Sequence, residues 1–209
     1  MIEVAEYNLP DIKIIESERE FDFHFWTPDR FCIVLGRSDS PDTALEVENV
    51  LNDGISVLKR PSGGHTVVLS GKMVVFSIKA DFKKAGNPKR FFRLVNMRLI
   101  EAFIERGVTN IHSRGISDLS IEDRKILGSS MYLKNNSIFY HAVLNINEEV
   151  SSISKYLKHP TSEPDYRKGR AHEDFVTSLQ KEGYQISENE VYAAIKEAIS
   201  RIREDIYQS

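Results

Sequence analysis

Three segments of the 209-residue chain carry residue types that could do chemistry. The first runs Lys59-Arg60-Pro61-Ser62-Gly63-Gly64-His65-Thr66-Val67-Val68. Its glycine pair lets the backbone approach a ligand and adopt positive φ, and successive turn amides can form a concavity for an anion. Arg60 adds a planar cation suited to carboxylate or phosphate. Read alone, the segment is more simply a short glycine loop with an exposed arginine. The second segment is Ser117-Asp118-Leu119, followed by Asp123-Arg124-Lys125-Ile126-Leu127-Gly128-Ser129-Ser130. Lys125 opens a strand that soon turns small, which leaves room for a ligand beside the sheet. A lysine there can neutralise an oxyanion or a phosphate. Asp118 could hold Mg²⁺, an ion content with one or two carboxylates plus phosphate oxygens. Alone, Lys125 reads as a solvated lysine at a strand edge. The third segment, Pro164-Asp165-Tyr166-Arg167-Lys168-Gly169-Arg170-Ala171-His172-Glu173-Asp174-Phe175, packs cations, a glycine and a histidine into one loop. It could close over phosphates or meet an acidic partner, although a charge run is more often a solvated surface.

These segments need elements to hold them. Residues 21–25 alternate, residues 32–35 form a short apolar run, and residues 55–59 alternate before the glycine loop. Residues 65–69 and 73–78 flank Ser70-Gly71, which reads as a two-residue hairpin. One helix begins at Asn87 as N-cap with Pro88 in its first turn. Its core stripe is Phe91, Val95, Leu99 and Phe103, and Gly107 ends it. Strands return at residues 116–121 and at residues 125–133, the latter pairing with 138–146 across an asparagine-rich turn. Ser187 and Glu190 form a capping box for a last helix whose apolar face is Val191, Ile195, Ile199, Ile202 and Ile206. Strand runs broken by separated helices favour an α+β fold, a mixed or antiparallel sheet flanked by helices.

Composition bounds the partners. Hydrophobic residues make up 41% and charged residues 28%, with a net charge of -3. That balance fits a globular domain with no bulk affinity for nucleic acid or membrane. No apolar run approaches the roughly 18 residues of a membrane span, and the N-terminus lacks the pattern of a signal peptide. A cytoplasmic protein is expected. The single cysteine, Cys32, rules out an intrachain disulfide and a multi-cysteine zinc cluster.

Together and in this order, the segments resemble the lipoate–protein ligase A family. Its Arg-x-Ser-Gly-Gly-Gly-x-Val loop is matched by Arg60-Pro61-Ser62-Gly63-Gly64-His65-Thr66-Val67. Its Asp-(Leu/Ile) strand followed by Arg-Lys-Ile-x-Gly-Ser is matched by Asp118-Leu119 and Arg124-Lys125-Ile126-Leu127-Gly128-Ser129. A later strand histidine is matched by His141, and the family's Val-Thr-(Ser/Asn)-Leu by Val176-Thr177-Ser178-Leu179. The resemblance implies the biotin/lipoate protein ligase fold, similar to class II synthetases. It also implies lipoate activation by ATP with Mg²⁺, then lipoyl transfer to a lysine of a lipoyl carrier domain. That carrier would be a dehydrogenase E2 domain, a glycine-cleavage H protein or a relative. By position, Arg60, Gly64 and the backbone of His65, Thr66, Val67 and Val68 would hold nucleotide phosphates. Lys125 would contact both the acyl carbonyl and the α-phosphate, with Asp118 near the metal or the nucleotide. Ser62, Gly63, Gly64, Gly128, Ser129 and His141 would border the acyl group. Arg167, Arg170 and His172 lie in a loop expected to order on nucleotide binding, because it has little to pack against.

The chain departs from the family pattern in three ways. His65 replaces the third glycine, the early helix is short, and residues 1–209 are expected to form a single catalytic domain without the C-terminal accessory domain of many such ligases. A separate small accessory subunit could supply that part. Lipoate and octanoate pose the same demands on an acyl tunnel. Octanoyl- and lipoyl-transferases of the same fold use a cysteine nucleophile. Cys32, within an apolar run, reads instead as a small buried hydrophobe. A non-catalytic binder of acyl group or carrier is the remaining alternative.

Overall fold

The computed structural model describes residues 1–208. In chain order the elements are β1 (Val4–Glu6), α1 (Ile12–Glu16), β2 (Phe21–Trp26), β3 (Cys32–Leu35), α2 (Pro41–Ala44), α3 (Val47–Asn52), β4 (Ser56–Lys59), β5 (Val67–Leu69) and β6 (Met73–Asp81). They continue with α4 (Phe82–Ala85), α5 (Pro88–Ile104), β7 (Ile111–Arg114), β8 (Asp118–Ile121), β9 (Arg124–Lys134), β10 (Ser137–Asn145), α6 (Val150–Ser154), α7 (His172–Phe175) and α8 (Glu188–Tyr207). An antiparallel six-stranded sheet has the order β2-β6-β10-β9-β8-β7. A four-stranded sheet, β1-β4-β3-β5, is mixed: β1 and β3 run parallel to β4, and β5 runs antiparallel to β3. This is the expected α+β class.

The period-two alternation of a strand sends neighbouring residues to opposite faces. In β6 and β10 that alternation divides the molecule. Val74, Phe76, Ile78, Ile138, Tyr140 and Leu144 pack with the buried stripes of α5 and α8. Val75 and the partly buried Val143 instead pack with Cys32, Val34, Leu58 and Leu69 of the small sheet. The large sheet is thus the middle layer between two helices and a second sheet.

Both long helices begin where their caps require. The Asn87 side chain accepts from the Arg90 amide, and Pro88 sits in the first turn. Ser187 and Glu190 complete a reciprocal capping box. Gly107, at φ 80°, turns the chain after α5 and donates to the Ile104 carbonyl.

The hairpin expected at Ser70-Gly71 does not form. The turn itself exists, with the Met73 amide donating to the Ser70 carbonyl. Its two arms nevertheless enter different sheets, β5 pairing with β3 and β6 with β2 and β10. Val68 and Leu69 are buried against the small sheet's apolar clusters, so pairing beside β3 outweighs the local hairpin geometry.

Candidate active site

The register of the large sheet sets Ser77, His141 and Ser130 side by side on the face toward the small sheet. The glycine loop after β4 sits on this row. The Ser130 hydroxyl donates to the Gly63 carbonyl at 2.6 Å, and Ser62 Oγ lies 2.6 Å from His141 Nε2. Arg60, only 5% exposed, points into the loop. It donates from Nε to Ser62 Oγ, from Nη1 to the Val34 carbonyl, and from Nη2 to the carbonyls of Gly63 and His65. Burial lowers its pKa to about 10. Arg60 thus braces the loop from within and also borders the cavity beside it.

Two residues outside the expected set shape this loop. A Cβ on Gly36 would lie 1.8 Å from the Gly64 carbonyl oxygen, so only glycine allows the two segments to touch. Asp39 accepts from both the amide and the hydroxyl of Thr66 at 2.7 Å. The only local signal for either was a polar turn, Gly36-Arg37-Ser38-Asp39, after an apolar strand.

Lys125 stands at the start of β9. Its Nζ is 2.9 Å from Asp118 Oδ1, and the Tyr166 hydroxyl donates to Asp118 Oδ2 at 2.8 Å. Asp118 is thus engaged through both oxygens, and Tyr166 was not foreseen. Gly128 explains the path of the lysine: a Cβ there would lie 2.8 Å from Lys125 Cε and 2.9 Å from Nζ. The lysine stem thus passes close over Gly128, which still borders the cavity. Ser129 donates its hydroxyl to the Ser117 carbonyl at 2.7 Å. Among the described residues no group of three or more His, Cys, Asp or Glu could hold a metal ion. Asp118 can still supply the single carboxylate that Mg²⁺ accepts alongside phosphate oxygens.

Residues 158–179 form a strap across the site. The Thr177 amide donates to the Lys125 carbonyl, which ties the Val176-Thr177-Ser178-Leu179 motif to the start of β9. The expectation that residues 167–172 have little to pack against is not met. Arg170 donates to the carbonyls of Asp123 and Tyr166 and pairs with Asp123 at 3.2 Å. Arg167 donates to the Arg170 carbonyl, and both guanidinium groups lie over the Phe175 ring. Arg167 lines the cavity, and its buried Nη2 has no hydrogen-bond partner. His172 has its pKa lowered to about 4, first by burial and then by the charge of Arg167. His65, in the third-glycine position, joins loop to strap through a 3.1 Å contact between Nε2 and Ser162 Oγ.

Loop, strand and strap enclose a cavity of about 830 Å³. Gly64, His65, Thr66, Val67, Val68, Asp118, Lys125, Gly128, Ser129, His141, Arg167 and His172 all border it, so the sequence segments do converge on one site. Ser62 lies beneath the surface at 0% exposure, and Arg170 braces the strap. One side of the cavity is apolar, with Val67, Leu69, Met73, Val75, Val143 and Leu157; the other carries Asp118, Lys125, Tyr166 and Arg167. A pocket apolar at one end and cationic at the other suits an amphiphilic acid together with a phosphate-bearing partner.

The fold and site together define an α+β domain in which a lysine–aspartate pair and apolar side chains line one cavity. Residues 10–200 match the family model of the lipoyl protein ligase A/B catalytic domain, and the chain belongs to that family. It is 28% identical over 157 residues to lipoate–protein ligase 1 of Staphylococcus aureus, a match covering 74% of this chain and 45% of the relative. Its fold is similar to that of a lipoate-protein ligase A bound with ATP, with TM-score 0.76, 16% identity, and 97% and 83% of the two chains covered. It is also similar to a bi-partite lipoate protein ligase from Thermoplasma acidophilum, described with its E2 lipoyl domain, at TM-score 0.74 and 17% identity, covering 88% of this chain and 72% of that one. The chain spans less than half the length of the curated relatives it matches.

Proposed function

We propose that this chain activates lipoate with ATP to lipoyl-AMP and transfers the lipoyl group to a lysine of a lipoyl carrier domain. The observation that carries this reading is that Lys125, paired with Asp118, lines the same cavity as the apolar Val67, Val75 and Val143. In the first step a lipoate carboxylate oxygen attacks the α-phosphorus, forming the acyl–phosphate bond as pyrophosphate leaves. In the second, the carrier lysine amine attacks the acyl carbonyl, and the bond to AMP breaks. Negative charge grows first at phosphorus and then at the carbonyl oxygen, and one cation between them serves both steps. Asp118 and Tyr166 hold that cation in place, and the backbone of residues 64–68 borders the same space. Arg167, whose Nη2 has no hydrogen-bond partner, borders the same space as Arg60 and would add a second cation toward the phosphates. Mg²⁺ on Asp118 would neutralise phosphate charge.

A thioester route through cysteine is disfavoured by the position of Cys32. It is buried in β3, and burial raises its thiol to about 11, so little thiolate forms at neutral pH. The bi-partite relative supports a reading in which a separate accessory subunit assists activation, with a lipoyl carrier as acceptor. The test is lipoate-dependent pyrophosphate release from Mg-ATP by the purified chain, with Lys125→Ala as control. Release lost in the variant supports the proposal. If the chain releases none even when an accessory subunit is added, the ATP route is wrong.

A further inference from the structure

Beneath the glycine loop lies a buried chain of polar groups that begins in the N-terminal segment. Tyr7 donates its hydroxyl to Asp11 Oδ1 at 2.7 Å, and Ser77 donates to Asp11 Oδ2 at 2.7 Å. His141 Nδ1 lies 3.6 Å from Asp11 Oδ2, an ion-pair contact rather than a full hydrogen bond. On its other side His141 Nε2 meets Ser62 Oγ, and Ser62 Oγ accepts from Arg60 Nε at 3.0 Å. Asp11 and Ser62 are fully buried, and His141 and Arg60 nearly so. Two opposite charges, Asp11 and Arg60, are thus linked through a histidine and a serine with no water-exposed step.

Donor and acceptor roles follow from the ends of this chain. Arg60 can only donate and an ionised carboxylate can only accept. The ionised Asp11 faces His141 Nδ1, so the neutral ring carries its proton there. Nε2 is then an acceptor and takes the Ser62 hydroxyl proton, while Ser62 Oγ accepts from Arg60. Other charges agree: burial and the Arg60 charge keep His141 below its ordinary pKa and therefore neutral, despite Asp11. Burial would raise Asp11, but His141, Tyr7 and Ser77 outweigh it and hold the carboxylate ionised. The connectivity resembles that of a serine nucleophile, its base and an orienting acid, yet Ser62 is sealed from the cavity and already braces Arg60. The geometry points to a different use.

We propose that Asp11 is a positioning residue for the proposed ligase site: it fixes the Nδ1-protonated form of His141, which holds Ser62 and Arg60 and so sets the loop that borders the phosphates. The N-terminal segment belongs to the active site through this chain, although Asp11 touches no substrate. Tyr7 and Ser77 hold the carboxylate from either side. The proposal rests on the ligase reading for its kinetic consequence but not for its structural one.

The test pairs a spectroscopic readout with turnover. Nitrogen NMR of the histidine ring is expected to find His141 neutral and Nδ1-protonated in the wild-type chain. In Asp11→Asn the Nδ1 form is expected to lose its dominance, and lipoate-dependent pyrophosphate release to fall by about tenfold to a hundredfold, the scale of a misplacement near 1 Å. Circular dichroism of the variant is expected to match wild type. Tyr7→Phe, a milder change, is expected to reduce release in the same direction and serves if Asp11→Asn does not fold. An unchanged His141 tautomer in the folded Asn variant would overturn the proposal. So would an altered tautomer with wild-type release, or, if only Tyr7→Phe folds, wild-type release from it. If the wild-type chain releases no pyrophosphate even with an accessory subunit added, the ligase reading fails on its own, and the tautomer comparison still decides whether Asp11 sets His141.

Discussion

The two faces of the six-stranded sheet differ more than any other two regions of the molecule. Toward α5 and α8 it presents Val74, Phe76, Ile78, Ile138 and Tyr140, all sealed from solvent. Toward the small sheet, the same strands present Ser77, His141 and Ser130, each bonded to a loop or to the N-terminal segment. One residue's shift along β10 separates an apolar core position from a polar site position. The lesson is a division of labour: close packing on one face gives the rigidity on which a hydrogen-bonded loop can be placed on the other.

Substitutions on the two faces should therefore fail differently. The largest effect expected is on the helix face. Phe91→Ala should destabilise the fold by about 3–5 kcal/mol through lost burial and a cavity. Chemical denaturation would measure it, and the folded fraction should keep its turnover. On the site face Lys125→Ala should lower pyrophosphate release by about a hundredfold to a thousandfold, the scale of removing one oxyanion donor. Its melting temperature should fall only modestly, because Lys125 is part-exposed and Asp118 keeps its hydrogen bond from Tyr166. Gly128→Ala should sharpen the same point. The added methyl displaces the lysine stem, so release should fall by about tenfold without a change in lysine count.

Acid should weaken the site face before the helix face. His141 and His172 both have folded pKa values below the ordinary 6.5. The unfolded chain then binds more protons as pH falls, so their contribution is intact above 6.5 and declines below it. For His172 the decline is complete near pH 4. The depressed Asp11 carboxyl acts in the same direction at lower pH, as it becomes protonated. Melting curves between pH 7 and 4 should show this loss, reduced in His172→Gln. The smallest effect expected is that of Cys32→Ser, which should retain turnover within a few-fold if measured per folded molecule. Loss of all acyl transfer in that variant would revive a thiol mechanism.

What the sequence made legible was local. Asn87, Pro88, Ser187 and Glu190 mark helix starts through contacts three residues away, and the structure uses each as a cap. The glycine loop and Lys125 were visible because their residue types cluster along the chain. The fate of the strands around Ser70-Gly71 was hidden, because the choice between β3 and β6 as partner is made by distant packing. Arg60 read as an exposed loop arginine because nothing nearby in the sequence shows that it is buried and donates to the carbonyls of Val34, Gly63 and His65. Gly128 looked like space for a ligand, and nothing in the sequence shows that the lysine three residues earlier also passes over it. Asp11 lies 130 positions from the histidine it faces, so no window of sequence contains both.

The most direct test of the central claim bypasses any need for an accessory part. Synthetic lipoyl-AMP and an unmodified lipoyl carrier domain would be incubated with the chain and with Lys125→Ala, and the carrier weighed by intact-protein mass spectrometry. The carrier is expected to gain one lipoyl group with the wild-type chain and to do so far more slowly with the variant. A carrier left unmodified by the wild-type chain, or modified equally by both, would contradict it.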